Sequence, residues 1–203
     1  MTDEHKDVPE VIEKRTYWQL PVEIHPDQGS INAAAAARSS QVIRDAISQR
    51  GYARVILATG NSQLDFLSRL RQAEGIDWSK VDVFHLDEYI GLPQGHPQSF
   101  RQYLLDNFVS HVNVRTFNAL DGNAEPTAEI RRYSNLLNED SIDLSCLGVG
   151  NNGHLAFNDP PYADFSAPAT VKTVELDEVS RLQQVNSGLF DSIADVPTHA
   201  LTV

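Results

Sequence analysis

The feature that most constrains the fold is a repeated alternation of short apolar runs, rich in β-branched residues, with longer segments of helical periodicity. A short apolar run of this kind is typical of a strand that is buried on both faces of a parallel sheet. The predicted strands cover residues 53–58, 81–86, 116–120, 142–149, 171–176 and 200–203.

The segments between these runs predict helices. In residues 32–49 apolar side chains recur at helical spacing, and Gly51 follows where a helix is expected to stop. Strands that alternate with helices imply βαβ crossovers, and therefore a mainly parallel sheet with helices on both faces, in a Rossmann-like three-layer α/β/α architecture. The other predicted helices begin near Leu64 or cover residues 96–112, 125–138 and 177–190.

The length of 203 residues fits one ordinary domain. Residues 1–28 are polar and contain three prolines, and they predict a peripheral arm with at most one extended piece, at residues 17–24. Residues 29–203 predict a single domain. Residues 200–203 look like the start of a strand without a covering helix. We therefore expect a domain truncated at its C-terminus, with an uncovered parallel strand and marginal stability.

The charge of the chain limits its partners. The formal net charge of -12 repels nucleic acid and anionic membranes, so any phosphate must be held locally. The sequence predicts neither a membrane span nor export, because it has no apolar run of about 18 residues and no apolar leader segment. The single Cys146 lies inside an apolar run, and we interpret it as a small buried residue of a cytoplasmic protein.

Three unusual polar loops follow predicted strands, at residues 59–62, 87–89 and 150–154. In open α/β sheets the ligand site forms outside the carboxyl ends of the strands, near a switch in strand order. We therefore expect these loops to form one ligand site.

The loop Thr59-Gly60-Asn61-Ser62 places small and hydroxyl residues just before a helix. Free backbone N–H groups and the helix dipole attract an anion at such a point, and a phosphate monoester would suit it. The alternative is a tight turn in which Asn61 or Ser62 caps the helix. The loop has no Walker lysine and no GxGxxG pattern, so neither a nucleoside triphosphate nor a dinucleotide cofactor is expected.

Two adjacent carboxylates, Asp87 and Glu88, follow the predicted strand at residues 81–86. One interpretation is that both are solvated surface charges. The other is a partly desolvated carboxylate at a pocket rim, which would be a base for a carbon acid next to a carbonyl and would have a raised pKa.

His154 follows Asn152 and Gly153, which permit a sharp turn, and Asp159 lies five residues later. Asp159 could orient the imidazole and hold its tautomer, although a structural histidine is the alternative. The seven histidines are scattered and show no spacing typical of metal ligands, so no metal site is expected.

Longer motifs around these residues resemble a known family. The segments FHLDEYIGL (84–92), HPQSF (96–100) and GVGNNGHLAFN (148–158) are similar to the DEY-x-GL, HP-x-S and G-x-G-x-[DN]-GH-x-[AG]-FN signatures of glucosamine-6-phosphate deaminases. Together with the Thr59-Gly60 loop and residues 197–203, they occur in the family order. The chain thus resembles the glucosamine-6-phosphate deaminase/isomerase family over residues 52–203.

The resemblance implies a reaction of amino-sugar metabolism, in which glucosamine 6-phosphate and water give fructose 6-phosphate and ammonia without a redox cofactor. It implies that Asp87 moves a proton between C2 and C1 through an enediol-like intermediate. His154 would assist ring opening, supported by Asn152 and Asp159. The implied phosphate contacts are Thr59, Gly60, Asn61, Ser62 and, at a spacing that differs from the family pattern, Arg181.

The sequence departs from the family pattern in four ways. Asn152 replaces an aspartate found in many members, and Asp159 replaces a glutamate that is one methylene longer. Residues 61–63 also differ from the usual phosphate loop, and family members continue beyond the point that matches Val203, with a further phosphate-binding lysine. These departures suggest a divergent paralogue with another amino-sugar phosphate as substrate or with weaker deaminase activity.

Two other functions remain open. A 6-phosphogluconolactonase-like hydrolase would share the fold and a related GH loop, although the DEY and FN motifs favour the deaminase. A non-catalytic sugar-phosphate sensor would also fit the altered loop. A sugar phosphate is the expected ligand, nucleic acid and membrane are not expected, and a homo-oligomer would agree with the family.

Overall fold

The computed structural model describes residues 10–150, 152–160 and 162–203. Within these residues the chain forms nine strands and five α-helices. The strands are β1 (Glu13–Tyr17), β2 (Leu20–Ile24), β3 (Ala53–Leu57), β4 (Val81–His85), β5 (Asp87–Tyr89), β6 (Thr116–Asn118), β7 (Leu144–Ser145), β8 (Lys172–Glu175) and β9 (His199–Thr202). The helices are α1 (Gln28–Arg50), α2 (Leu64–Arg71), α3 (Phe100–Asn107), α4 (Pro126–Asn138) and α5 (Glu178–Asn186).

Four parallel strands form the central sheet, in the order β6-β4-β3-β7. The chain builds this sheet outward from β3 through β4 to β6, and then returns to place β7 on the other side of β3. The strand order therefore reverses between β3 and β7. This switch point is where α/β sheets of this kind bind their ligands.

Helices cover both faces of the central sheet. Val55 and Leu57 of β3 belong to the core that contains α1 and α2, whereas Ile56 packs in a second core with Tyr133 of α4. This alternation follows from the two-residue period of a strand. The predicted Rossmann-like three-layer α/β/α fold is confirmed. None of the helices in the described part of the chain is long and apolar enough to cross a membrane.

A second sheet has three antiparallel strands, in the order β5-β9-β8, and the sequence did not predict it. Residues 87–89, predicted as a loop, form its strand β5. The expectation of an uncovered parallel strand at residues 200–203 is wrong, because β9 pairs with a neighbour on each side and Ala200, Leu201 and Thr202 are buried.

Capping side chains set helix ends that apolar periodicity alone misplaced. Helix α1 begins four residues earlier than predicted, because the carboxylate of Asp27 accepts the N–H of Ser30 at 2.7 Å. Helix α3 begins four residues later than predicted, since Ser99 caps it. The predicted strand at residues 142–149 is reduced to the two residues of β7, which pair with Val55 and Ile56.

The predicted peripheral arm, residues 1–28, is only partly described, because residues 1–9 lie outside the described residues. Its remainder forms the antiparallel hairpin of β1 and β2, one strand more than predicted, and leads into α1. Most side chains of the hairpin are exposed. The division into an arm and a domain of residues 29–203 stays a prediction.

Candidate active site

A cleft of about 300 Å³ opens where the carboxyl ends of β3, β4 and β7 meet. The structure brings residues of all three predicted loops to this one cavity, together with residues of α5 and an aromatic wall. The lining residues with polar side chains are Thr59, Ser62, Asp87, Tyr89, His154 and Gln184, and Gly60, Gly148 and Gly150 also line the cleft. Asn61, Asn152, Asp159 and Arg181 do not line it.

The loop after β3 turns into a 3₁₀ helix, Asn61–Gln63, that leads into α2. Gly60 makes the turn at φ 105°, a conformation that favours glycine, and its carbonyl accepts the hydroxyl of Tyr103 at 2.7 Å. The capping alternative is wrong, because neither the Asn61 nor the Ser62 side chain caps the helix. Among the described residues, no group accepts a hydrogen bond from the N–H of Asn61 or Ser62, so both are available to an anion.

Asp87 is the buried carboxylate of the cleft. It begins β5, one residue after the buried end of β4, and is 9% exposed. Burial raises the pKa of its carboxyl to about 7, and the negative charge of Glu88 adds to the increase. Among the described residues, no donor hydrogen-bonds its carboxylate, so the group is free to act on a ligand.

Glu88 points to the other side of β5 and serves the structure. Its carboxylate accepts the hydroxyl of Ser99 at 2.7 Å and the N–H groups of Phe100 and Arg101 at 3.1 and 2.9 Å. These bonds satisfy donors at the start of α3 that the helix itself leaves free. The interpretation of this residue and Asp87 as solvated surface charges is wrong, because both are buried.

His85, which the sequence did not single out, supports the end of β4 beneath the cleft. It is fully buried, and its Nε2 accepts the N–H of Leu120 at 2.8 Å. Burial lowers its pKa to about 3, so the ring stays neutral. Tyr133 clamps the same residue, since its hydroxyl donates to the carbonyl of His85 at 2.8 Å.

Two glycines shape the loop that carries His154. A Cβ at Gly150 would lie 2.2 Å from Cε1 of the His154 ring, so only glycine allows the imidazole to lie against the backbone there. Gly153 takes a φ of 87°, which favours glycine. The N–H of Gly150 donates to the carbonyl of His154 at 2.9 Å and closes the loop.

The imidazole of His154 is oriented by two oxygen atoms. Its Nδ1 lies 2.5 Å from Oδ1 of Asn152 and 2.8 Å from Oδ1 of Asp159, while Nδ2 of Asn152 donates to the same Asp159 oxygen at 2.6 Å. Since Nδ1 faces acceptors, it carries the proton and leaves Nε2 for a ligand. The shorter carboxylate at position 159 therefore reaches the ring.

The comparisons with known proteins agree with this geometry. The family model for glucosamine-6-phosphate isomerases/6-phosphogluconolactonase matches residues 26–161. The chain belongs to this family. It is 38% identical over 148 residues to a glucosamine-6-phosphate deaminase of Exiguobacterium sp. (strain ATCC BAA-1283 / AT1b), a match that covers 72% of this chain and 56% of the relative. The chain thus spans little more than half the length of that relative.

Solved structures of the family superpose on this member. A monomeric glucosamine-6-phosphate deaminase has a TM-score of 0.77 at 31% identity, with 87% of this chain and 73% of that chain covered. A 6-phosphogluconolactonase from Shewanella baltica OS155 has a TM-score of 0.65 at 20% identity, with coverages of 87% and 71%. The second likeness shows the fold alone.

Arg181 does not reach the cleft of this family member. Its guanidinium donates to the carbonyls of Ile193 at 2.6 Å and Val196 at 2.9 Å, and it lines a different cavity. These bonds hold α5 against the segment before β9. The structure therefore gives Arg181 a supporting position, away from the residues expected to bind phosphate.

The cleft also contains residues that sequence reasoning missed. Gln184 and Leu189 reach it from the C-terminal end of α5, and Phe100 and Phe157 pack with Tyr89 of the predicted loop to form an aromatic wall. Phe100 and Phe157 lie inside the quoted motifs, which could have suggested them. Gln184 carries no motif signal, and only the packing of α5 across the cleft reveals it.

The structure also bears on metal and thiol chemistry. Within residues 10–150, 152–160 and 162–203, no group of three or more His, Cys, Asp or Glu side chains is placed to hold a metal ion. Burial raises the pKa of the Cys146 thiol to about 11, so the thiol is neutral near pH 7.

Proposed function

We propose that this protein converts glucosamine 6-phosphate and water into fructose 6-phosphate and ammonia, as an enzyme of amino-sugar metabolism in the cytoplasm. The observation that carries the proposal is one cleft that combines a buried carboxylate with an oriented imidazole. The family membership and the relatives named glucosamine-6-phosphate deaminase support it.

Asp87 is the proposed acid–base residue at C2 and C1. Its pKa of about 7 leaves a large fraction ionised at neutral pH, so the carboxylate can take a proton from carbon and return it to the neighbouring carbon. Its carboxylate has no competing donor among the described residues. Removal of the C2 proton, with a proton gained by the C1 oxygen, gives an enediol-like intermediate that carries the amino group on C2. Return of the proton to C1 leaves an imine at C2, and water hydrolyses this imine to the ketone with release of ammonia. The carbon-to-carbon proton transfer needs only one group, Asp87.

His154 is the proposed ring-opening residue. Opening of the cyclic sugar requires removal of the proton on the C1 hydroxyl and delivery of a proton to the ring oxygen. Nε2 is the free position of the imidazole, and Asp159 stabilises the imidazolium that forms when Nε2 accepts a proton. Asn152 holds the ring through Nδ1.

The loop after β3 is the proposed phosphate site. The N–H groups of Asn61 and Ser62 and the hydroxyls of Thr59 and Ser62 supply hydrogen-bond donors in a chain of strongly negative net charge. Local donors of this kind bind a phosphate monoester although the electrostatic field of the negatively charged protein repels it.

The test measures ammonia release and ketose formation from glucosamine 6-phosphate with the 203-residue protein, beside hydrolysis of 6-phosphogluconolactone. We expect ammonia and fructose 6-phosphate to appear in equal amounts. Lactone hydrolysis without ammonia would identify a lactonase, and binding of the sugar phosphate without turnover would identify a sensor. Either result would contradict the proposal.

A further inference from the structure

The C-terminal end of α5 forms one wall of the cleft. Gly188, at φ 72°, ends the helix, and the N–H of Leu189 donates to the carbonyl of Gln184 at 3.0 Å. The N–H of Gly188 donates to the carbonyl of Val185 at 2.9 Å, which completes a Schellman motif. This motif brings the side chain after the glycine back against the last helical turn. Gln184 and Leu189 consequently line the cleft together.

The rest of α5 is held firmly in place. The carboxylate of Asp177 caps its first turn by accepting the N–H of Ser180 at 2.7 Å. Arg181 ties its middle to the carbonyls of Ile193 and Val196. The position of the Gln184 side chain therefore follows from contacts made elsewhere on the helix, and none of them uses its amide.

The amide of Gln184 is available to a ligand. In the part of the chain that the structure describes, no hydrogen bond involves this side chain, whereas the amide of Asn152 on the opposite loop bonds to His154 and Asp159. A primary amide both donates and accepts hydrogen bonds, as a hydroxyl group does. A phosphate only accepts, and the loop after β3 already presents donors for it.

We propose that Gln184 is a specificity-determining residue whose amide binds a hydroxyl group of the sugar phosphate in the cleft. This inference rests on the proposed function and adds to it a contact from α5. It also replaces Arg181 as the residue through which α5 meets the ligand.

The experiment compares Gln184→Leu with Gln183→Leu. Gln183 is the exposed neighbour on the same helix and does not line the cleft, so its substitution is the matched control. For glucosamine 6-phosphate we expect KM to rise about tenfold in Gln184→Leu, as for a lost hydrogen bond to a desolvated partner, with kcat within about twofold. The control should match the wild type, and circular dichroism should show that both variants are folded.

Deoxy analogues identify the contact. Wild-type protein should lose affinity for the 3-deoxy or the 4-deoxy analogue of glucosamine 6-phosphate, and Gln184→Leu should show no further loss for the analogue that lacks the contacted hydroxyl. An unchanged KM in Gln184→Leu, with an active wild type, would overturn the role of Gln184 and leave the proposed function standing.

Measurements on the wild-type protein distinguish failure of the proposed function from failure of the proposal for Gln184. If the wild type binds glucosamine 6-phosphate without turnover, calorimetric Kd values replace KM, and the same tenfold difference tests Gln184. If the wild type binds neither glucosamine 6-phosphate nor 6-phosphogluconate, both proposals are overturned.

Discussion

The titratable groups on the two sides of the cleft, Asp87 and His154, are controlled by different interactions. Asp87 is 9% exposed, lacks a hydrogen-bond donor among the described residues, and has its pKa raised by burial. The His154 side chain is 29% exposed and is held by Asn152 and Asp159. Burial therefore adjusts the proton affinity on one side, and hydrogen bonds set the direction of a ring on the other.

The difference follows from where each group lies in the fold. Asp87 joins the parallel sheet to the antiparallel sheet, so packed strands surround it. His154 lies on a loop after the short strand β7, where glycine geometry and two polar side chains supply the order that packing does not. Substitutions at Asp87 should therefore change the proton-transfer step and the pH dependence of the reaction. Substitutions around His154 should change the orientation of the imidazole ring.

The largest effect is expected for Asp87→Asn. The amide keeps the shape but cannot accept a proton from carbon, so kcat should fall by about 10³-fold while sugar-phosphate affinity stays within about tenfold. Steady-state kinetics and titration calorimetry measure the two quantities. Turnover equal to that of the wild type would remove Asp87 from the proposed role.

The same variant tests, through folding stability, whether the pKa of Asp87 is raised. The pKa of Asp87 is raised from 3.8 to about 7 in the folded protein, so folding stability falls as the pH rises from about 4 to 7. Asp87→Asn removes this loss, which is at most about 4 kcal/mol. Its melting temperature relative to the wild type should therefore rise more at pH 8 than at pH 4, and an equal difference at both would refute the assignment.

A pH profile should show the base directly. Because the reaction needs the ionised carboxylate, kcat/KM should rise with pH to a plateau above about 7 and should be about 10²-fold lower two units below that pKa. Glu88→Gln removes the neighbouring charge, so it should move the midpoint to lower pH. A midpoint that stays in place would mean that burial alone raises the pKa.

On the other side of the cleft, His154→Gln should slow reaction of the cyclic sugar by roughly 10²-fold and that of an open-chain analogue much less. The reason is that ring opening precedes the steps at Asp87. Rates for the two substrates are compared under the same conditions. Equal losses would show that the imidazole does not act in ring opening.

A smaller effect is expected at Asp159. Asp159→Asn removes the charge beside Nδ1 of His154 and should lower kcat/KM about tenfold, as for the loss of one charge-assisted hydrogen bond. Asp159→Glu keeps the charge, restores the longer family side chain, and should preserve or raise activity. A large loss in Asp159→Glu would show that the shorter carboxylate is required by this loop.

The smallest effect on ligand affinity is expected for substitution of Arg181. Arg181→Met removes the bonds to the carbonyls of Ile193 and Val196, and should lower stability by about 1–3 kcal/mol. Affinity for inorganic phosphate and for the sugar phosphate should stay within about threefold. A loss of phosphate affinity larger than tenfold would restore the contact that the family resemblance implied.

Much of this arrangement could be predicted from local patterns. The apolar runs before Thr59 and Asp87 predicted the buried strands β3 and β4, and the glycines around His154 predicted a sharp turn. These predictions depend on residues within one turn or strand of each other. The predicted strand at residues 142–149 is too long. Strand β7 has only two residues, because its length is set by how far it pairs with β3.

Local sequence patterns were enough to predict the α/β class, the buried strands β3 and β4, and the three segments that meet at the cleft, because periodicity and glycine placement act over a few residues. They did not show that one of these segments, residues 87–89, is a strand. Tertiary contacts bind Glu88 to the first N–H groups of α3, leave the Asp87 carboxylate without a donor among the described residues, and pair β9 on both edges. They also place Gln184, and not Arg181, at the cleft. Burial, hydrogen-bond satisfaction and strand pairing depend on groups far apart in the chain, so local patterns do not contain them.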